Sequence, residues 1–163
     1  MTIPDSILVQ PMKITLLAAL LFSALPALAQ VSVSEPWVRG TVARQQATGA
    51  FMQLTATENS RLVAARSPVA GVVEIHEMAM EKDIMRMRAL PNGLELPAGK
   101  TVELKPGGFH VMLMDLKQQI RGGDVVPLTL VIEGRDKKQT QIELKATVRA
   151  LGAAAPMGSM HQH

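Results

Sequence analysis

From Val31 onward the apolar residues follow one periodicity only. Short runs alternate apolar and polar side chains, and turn-forming clusters interrupt them before any helical spacing is established. Period-two alternation suits a half-buried strand, because successive side chains point to opposite faces of the sheet. The pattern predicts strands at 31–38, 49–57, 62–67, 72–80, 84–90, 101–104, 109–116, 128–133 and 141–148. Between them lie Glu58-Asn59-Ser60, Glu81-Lys82-Asp83, Pro91-Asn92-Gly93, Pro97-Ala98-Gly99, Pro106-Gly107-Gly108 and Gly122-Gly123-Asp124, built from residues that turns favour. Strands this short, at this spacing, predict a single all-β domain folded as an antiparallel sandwich or barrel.

The N-terminal segment has a different character. Lys13 precedes an apolar run over 14–25, and Pro26-Ala27-Leu28-Ala29 offers an A-x-A-like cleavage site. Residues 1–29 therefore read as a secretory signal peptide, with 1–11 as a candidate upstream extension, since Met12 stands directly before Lys13. The run is shorter than the about 20 residues that span a bilayer, and no second one follows, so the mature chain is expected to be exported and not membrane-embedded. The domain is expected over 30–150, followed by a flexible tail, 151–163, with little to bury.

Composition removes several function classes. The 163 residues include no cysteine, which excludes disulfides, thiolate zinc sites, iron–sulfur clusters and blue-copper centres. The net charge of +3 comes from scattered basic residues, and only 2% of residues are aromatic, so nucleic-acid binding is not expected. No serine or threonine stands in a recognisable nucleophile, base and orienting-acid set, and catalysis is not expected either.

What is abundant is methionine, at 11 residues. The histidines keep close to it: His76 with Met78, His110 with Met112, and His161 and His163 with Met160. Alternation puts His110, Met112 and Met114 on one face of their strand, and His76, Met78 and Met80 on one face of theirs; Met85 and Met87 share a face of the next. Imidazole nitrogen and thioether sulfur form a soft, neutral donor set that suits Cu(I), whereas Mg²⁺ and Ca²⁺ prefer carboxylate oxygen. The competing reading makes the methionines core filler, and it is preferred for Met52 and Met114. Glu74, Glu77, Glu81 and Asp83 form an acidic cluster near the site and read most simply as a solvated strand edge and turn, with attraction of a cation as the alternative, and Arg86 and Arg88 read as solvent-facing.

Over most of the domain the chain also resembles the periplasmic copper chaperones of the PCu(A)C family. The resemblance is carried by Pro36-Trp37-Val38-Arg39, Gly49-Ala50-Phe51-Met52, Glu74-Ile75-His76-Glu77, Met85-Arg86-Met87-Arg88, Leu96-Pro97-Ala98-Gly99 and Gly123-Asp124-Val125-Val126-Pro127-Leu128. Its most specific segment runs from Lys105-Pro106-Gly107-Gly108 through Phe109-His110-Val111-Met112-Leu113-Met114. The resemblance implies a cupredoxin-like, Greek-key β-sandwich holding one Cu(I) through His76, Met87, His110 and Met112. Met85 and Met78 remain alternatives to Met87, because strand register decides which thioether reaches the metal. It further implies a non-enzymatic, periplasmic, monomeric carrier that delivers copper to the copper-accepting subunit of cytochrome c oxidase or to another copper assembly factor. Met157, Met160, His161 and His163 resemble Met/His-bearing extensions of that family and define a candidate secondary site, with His161 and His163 suited to Cu(II). The alternative from another class is an exported β-sandwich interaction module with no metal role.

Overall fold

The computed structural model describes residues 30–152, and these form an all-β domain with no helix. The proposed signal peptide, its upstream extension and the tail residues Met157, Met160, His161 and His163 lie outside the described residues. Ten strands follow in order: β1 (Val31–Arg39), β2 (Ala47–Ala56), β3 (Ser60–Arg66), β4 (Ala70–Glu81), β5 (Ile84–Ala89), β6 (Leu94–Leu96), β7 (Thr101–Leu104), β8 (His110–Leu116), β9 (Val125–Glu133) and β10 (Gln139–Arg149). Nine of them lie within a few residues of the ranges the alternation predicts.

The differences have local causes. β6 is too short to show a period, yet both its leucines are buried against β3, where Ser60 and Leu62 pair with Leu96 and Leu94. β9 starts ahead of Pro127, a residue without an N–H; β3 pairs with β9 only from Thr129 onward, so the missing donor breaks no bond on that side. In β1 the alternation changes phase. A bulge lies between Ser34 and Trp37, with Glu35 at φ 50°, so Val31 and Val38 both reach the core from positions of opposite parity.

Hydrogen bonding joins the strands in the order β5-β4-β8-β2-β1-β10-β9-β3-β6, with β7 also on β2. β2 divides its outer edge: Ala47–Ala50 pair with β8, and Met52–Thr55 with β7. β1 and β10 run parallel, Trp37 to Arg39 beside Thr147 to Arg149, and join the two halves of the fold. Leu54, Leu62, Val111, Leu113, Leu130, Ile132 and Val148, drawn from both halves, form one buried cluster. Met52, at 2% exposure, belongs to it, as the core-filler reading expects; Met114 does not, and lies half-buried on the opposite face of β8. Among the described residues no helix is long and apolar enough to cross a membrane.

Candidate metal centre

The face of β4 and β8 turned away from the core carries the histidines and methionines, and three registers bring them together. Glu81 pairs with Ile84 around the two-residue turn Lys82-Asp83, both of whose residues have left-handed φ, 48° and 65°. Such a turn matches the twist of a hairpin and fixes its register. Met80 then faces Met85, and Met78 faces Met87. On its other edge β4 pairs with β8, setting His76 against His110 and Glu74 against Met112. Beyond β8, Met112 faces Gly49 of β2.

The protons on the two imidazoles follow from their partners. His110 is buried at 6% exposure, and its Nδ1 lies 3.1 Å from the Gly108 carbonyl oxygen. A carbonyl only accepts, so Nδ1 donates, and in the neutral ring Nε2 keeps a bare lone pair. That Nε2 stands 3.1 Å from the Met87 sulfur, itself an electron-pair donor. Burial lowers the His110 pKa; the Gly108 bond opposes this, and repulsion from His76, in its protonated form, and from the Arg39 guanidinium adds to the lowering. The neutral ring is thereby favoured near pH 7. His76 uses the opposite nitrogen: its Nε2 donates to the Glu74 carboxylate at 2.8 Å, and its buried Nδ1 has no hydrogen-bond partner. The two rings stand edge to face, with centroids 5.7 Å apart.

His110 and Met87 edge a pocket of about 260 Å³, lined also by Met112, Phe51, Arg39 and Pro106. One wall is aromatic. The Phe51 ring lies 6.3 Å from the His110 ring and 4.4 Å from Trp37, with the Arg39 guanidinium 5.4 Å from the Phe51 centroid. Gly49 makes room for that wall, since a Cβ there would come within 2.7 Å of the Phe51 ring.

Of the proposed ligands, His110 and Met87 are in contact, His76 stands against His110, and Met112 shares the pocket with Met87 and His110. Of the alternatives, Met78 is half-buried opposite Met87, whereas Met85 lies one rung further toward the turn, opposite Met80. Glu74 is exposed, as a solvated acid of the cluster near the site should be, but sequence reasoning missed its bond to His76. The signal was its spacing, two residues before His76 and on the same face. It also missed Gly108, Gly49 and Phe51: the first two act on a residue two positions along the chain, and Phe51 reaches His110 across strands. On the other face Glu81 is as expected of a solvated acid, with Arg86 at 3.5 Å, whereas Glu77 beside it is only 18% exposed and is held by Arg88 at 2.5 Å. Among the described residues no three His, Cys, Asp or Glu side chains gather as a hard or thiolate site would require.

Fold and site together define an all-β sandwich domain with a histidine–methionine cluster on its outer face. The chain belongs to the LpqE-like family, whose sequence model matches residues 31–148. It is similar to “Putative lipoprotein Lxx21020” of Leifsonia xyli, 32% identical over 100 residues that cover 61% of this chain and 60% of that protein's length. Among solved structures, the apo PCuAC domain from PmoF1 shares the fold, with a TM-score of 0.60 at 24% identity over 74% of this chain and 94% of that one. The Cu(I) form of DR1885 from Deinococcus radiodurans, solved in solution, is 30% identical with a TM-score of 0.55, over 78% of this chain and 83% of that one.

Proposed function

We propose that this protein is an exported Cu(I) chaperone that carries one copper on His76, Met87, His110 and Met112. A single observation carries the reading. The His110 Nε2 and the Met87 sulfur, both electron-pair donors, face each other at 3.1 Å while the imidazole proton is held on the Gly108 carbonyl. Two lone pairs so placed repel unless a cation lies between them, and two neutral soft donors select a soft one. The buried, unpartnered Nδ1 of His76 supplies a third such lone pair on the same face. A similar protein from Deinococcus radiodurans exists as a Cu(I) form, which supports copper as the cargo.

The residues divide the work. Gly108 and Glu74 hold the imidazole protons away from the metal side, the outer-shell role that orients a ligand and sets its basicity. Phe51, backed by Trp37, and Met112 give the pocket apolar surface beside the donors, which favours a monovalent cation held by uncharged donors. Met87 is 49% exposed, so the metal can be approached by a recipient's donor from the hairpin side. Release then proceeds by stepwise ligand exchange: an incoming donor binds as Met87 leaves, and no charge or electron is transferred to the protein. Such a site carries metal and turns nothing over.

The recipient is proposed to be the copper-accepting subunit of cytochrome c oxidase or another copper assembly factor, met outside the cytoplasm by a monomeric, processed chain. The signal-peptide pattern of residues 1–29 and the lipoprotein description of the Leifsonia relative support export. His161 and His163 are proposed to capture Cu(II) at a secondary tail site that also includes Met157 and Met160. Truncation after Gly152 should lower Cu(II) affinity; an unchanged affinity removes that part. Anaerobic Cu(I) titration against a competing chelator tests the main site. One equivalent should bind tightly, and the alanine variant of His76, Met87, His110 and Met112 should lose it. Weak, unselective binding in both would return the domain to an interaction module.

A further inference from the structure

The outer half of the β4–β5 hairpin carries a second set of thioethers that the carrier site does not use. Met80 and Met85 face each other across the hairpin one rung beyond Met78 and Met87. They are 64% and 46% exposed, on the face that bears the histidines. Paired positions hold their Cβ atoms about 4.5–5.5 Å apart, within reach of two flexible thioethers converging on one ion. Successive rungs lie about 7 Å apart along a strand, so the Met80–Met85 rung stands one step from the Met78–Met87 rung and two from His76.

We propose that Met80 and Met85 form a second, weaker Cu(I) site at the hairpin tip, where the metal lands before it passes along the Met78–Met87 rung to His110. This rests on the proposed function. Two observations and the chemistry of the side chain point to a metal rather than to a protein partner. All four paired positions hold methionine, and none holds the Thr, Val or Ile that strands favour. At an exposed position methionine differs from leucine chiefly in the lone pairs on its sulfur. The opposite face of the same hairpin is occupied by Glu77–Arg88 and Glu81–Arg86 ion pairs, so only the thioether face stays free of charge. Transfer along the rungs is exchange of one neutral sulfur for another; copper remains Cu(I), and no bond in the protein forms or breaks.

The test is an anaerobic Cu(I) titration of the purified protein labelled with ¹³C at the methionine methyls, followed by NMR. Met87 and Met112 should saturate within the first equivalent, and Met80 and Met85 should shift together only beyond it. Met80→Leu should abolish the Met85 shift, leave the first equivalent unchanged, and slow loading from a Cu(I)–chelator complex several-fold. If Met87 and Met112 saturate while Met80 and Met85 stay fixed through three equivalents, the inference falls and the proposed function stands. The inference also falls if Met85 shifts unaltered in the Met80→Leu protein, or if that protein loads at the wild-type rate. If Met87 and Met112 never saturate, both fall.

Discussion

β8 presents two regions with opposite demands one residue apart. Val111 and Leu113 are fully buried between the halves of the sandwich, while His110 and Met112 face the outer pocket. On the inner face any loss of volume is felt as stability, because close-packed interiors relax only partly around a cavity. On the outer face shape matters less than which atom carries a lone pair and which carries a proton. In the proposed function the strand is held by one face and put to use by the other, so the two kinds of damage should separate.

The sharpest way to break that separation is to remove donors without touching the core. The double substitution His110→Ala with Met112→Ala should abolish tight Cu(I) binding in a chelator competition while the β-sheet circular dichroism signal stays native; tight binding in the variant would sink the ligand assignment. The converse change, Leu113→Ala, should cost about 2–5 kcal/mol in chemical denaturation. Its folded fraction should keep the wild-type copper affinity, and a large affinity loss would mean that the faces are coupled. A smaller effect is expected one layer out. Glu74→Leu frees the proton on His76 Nε2 to change nitrogens and should weaken Cu(I) binding about 10–100-fold, the usual cost of losing an outer-shell partner; an affinity within twofold of wild type would make Glu74 an ordinary surface acid. The least effect belongs to the hairpin turn. Asp83 holds a left-handed φ of 65°, a conformation glycine adopts freely, so Asp83→Gly should raise stability by up to about 1 kcal/mol and leave affinity unaltered.

The two faces were not equally legible in the sequence. Period-two alternation puts His110 and Met112 on one side of β8 and Val111 and Leu113 on the other, and the structure agrees. It does the same for His76 and Met78 in β4. Alternation within a strand says nothing, however, about which residues meet across strands. Reading Glu81-Lys82-Asp83 as the turn would pair Met80 with Ile84. In the fold Lys82 and Asp83 both take positive φ, Glu81 joins β4, and every pairing moves by one, which sets Met87 opposite Met78. The phase change in β1 was equally hidden, because Glu35 gives no composition signal for a bulge. The bond between Glu74 and His76 was hidden for a further reason: whether a solvated acid also holds a histidine proton depends on the rotamers of both, which spacing alone does not fix.

The central claim is that one soft cation sits between imidazole nitrogen and thioether sulfur on the outer face of β4, β5 and β8. X-ray absorption spectroscopy of the protein loaded anaerobically with one equivalent of Cu(I) tests it most directly. The account predicts a first shell with both nitrogen and sulfur scatterers, losing sulfur in Met87→Leu and nitrogen in His110→Ala. A shell of nitrogen and oxygen alone, or one unchanged by both substitutions, would contradict it.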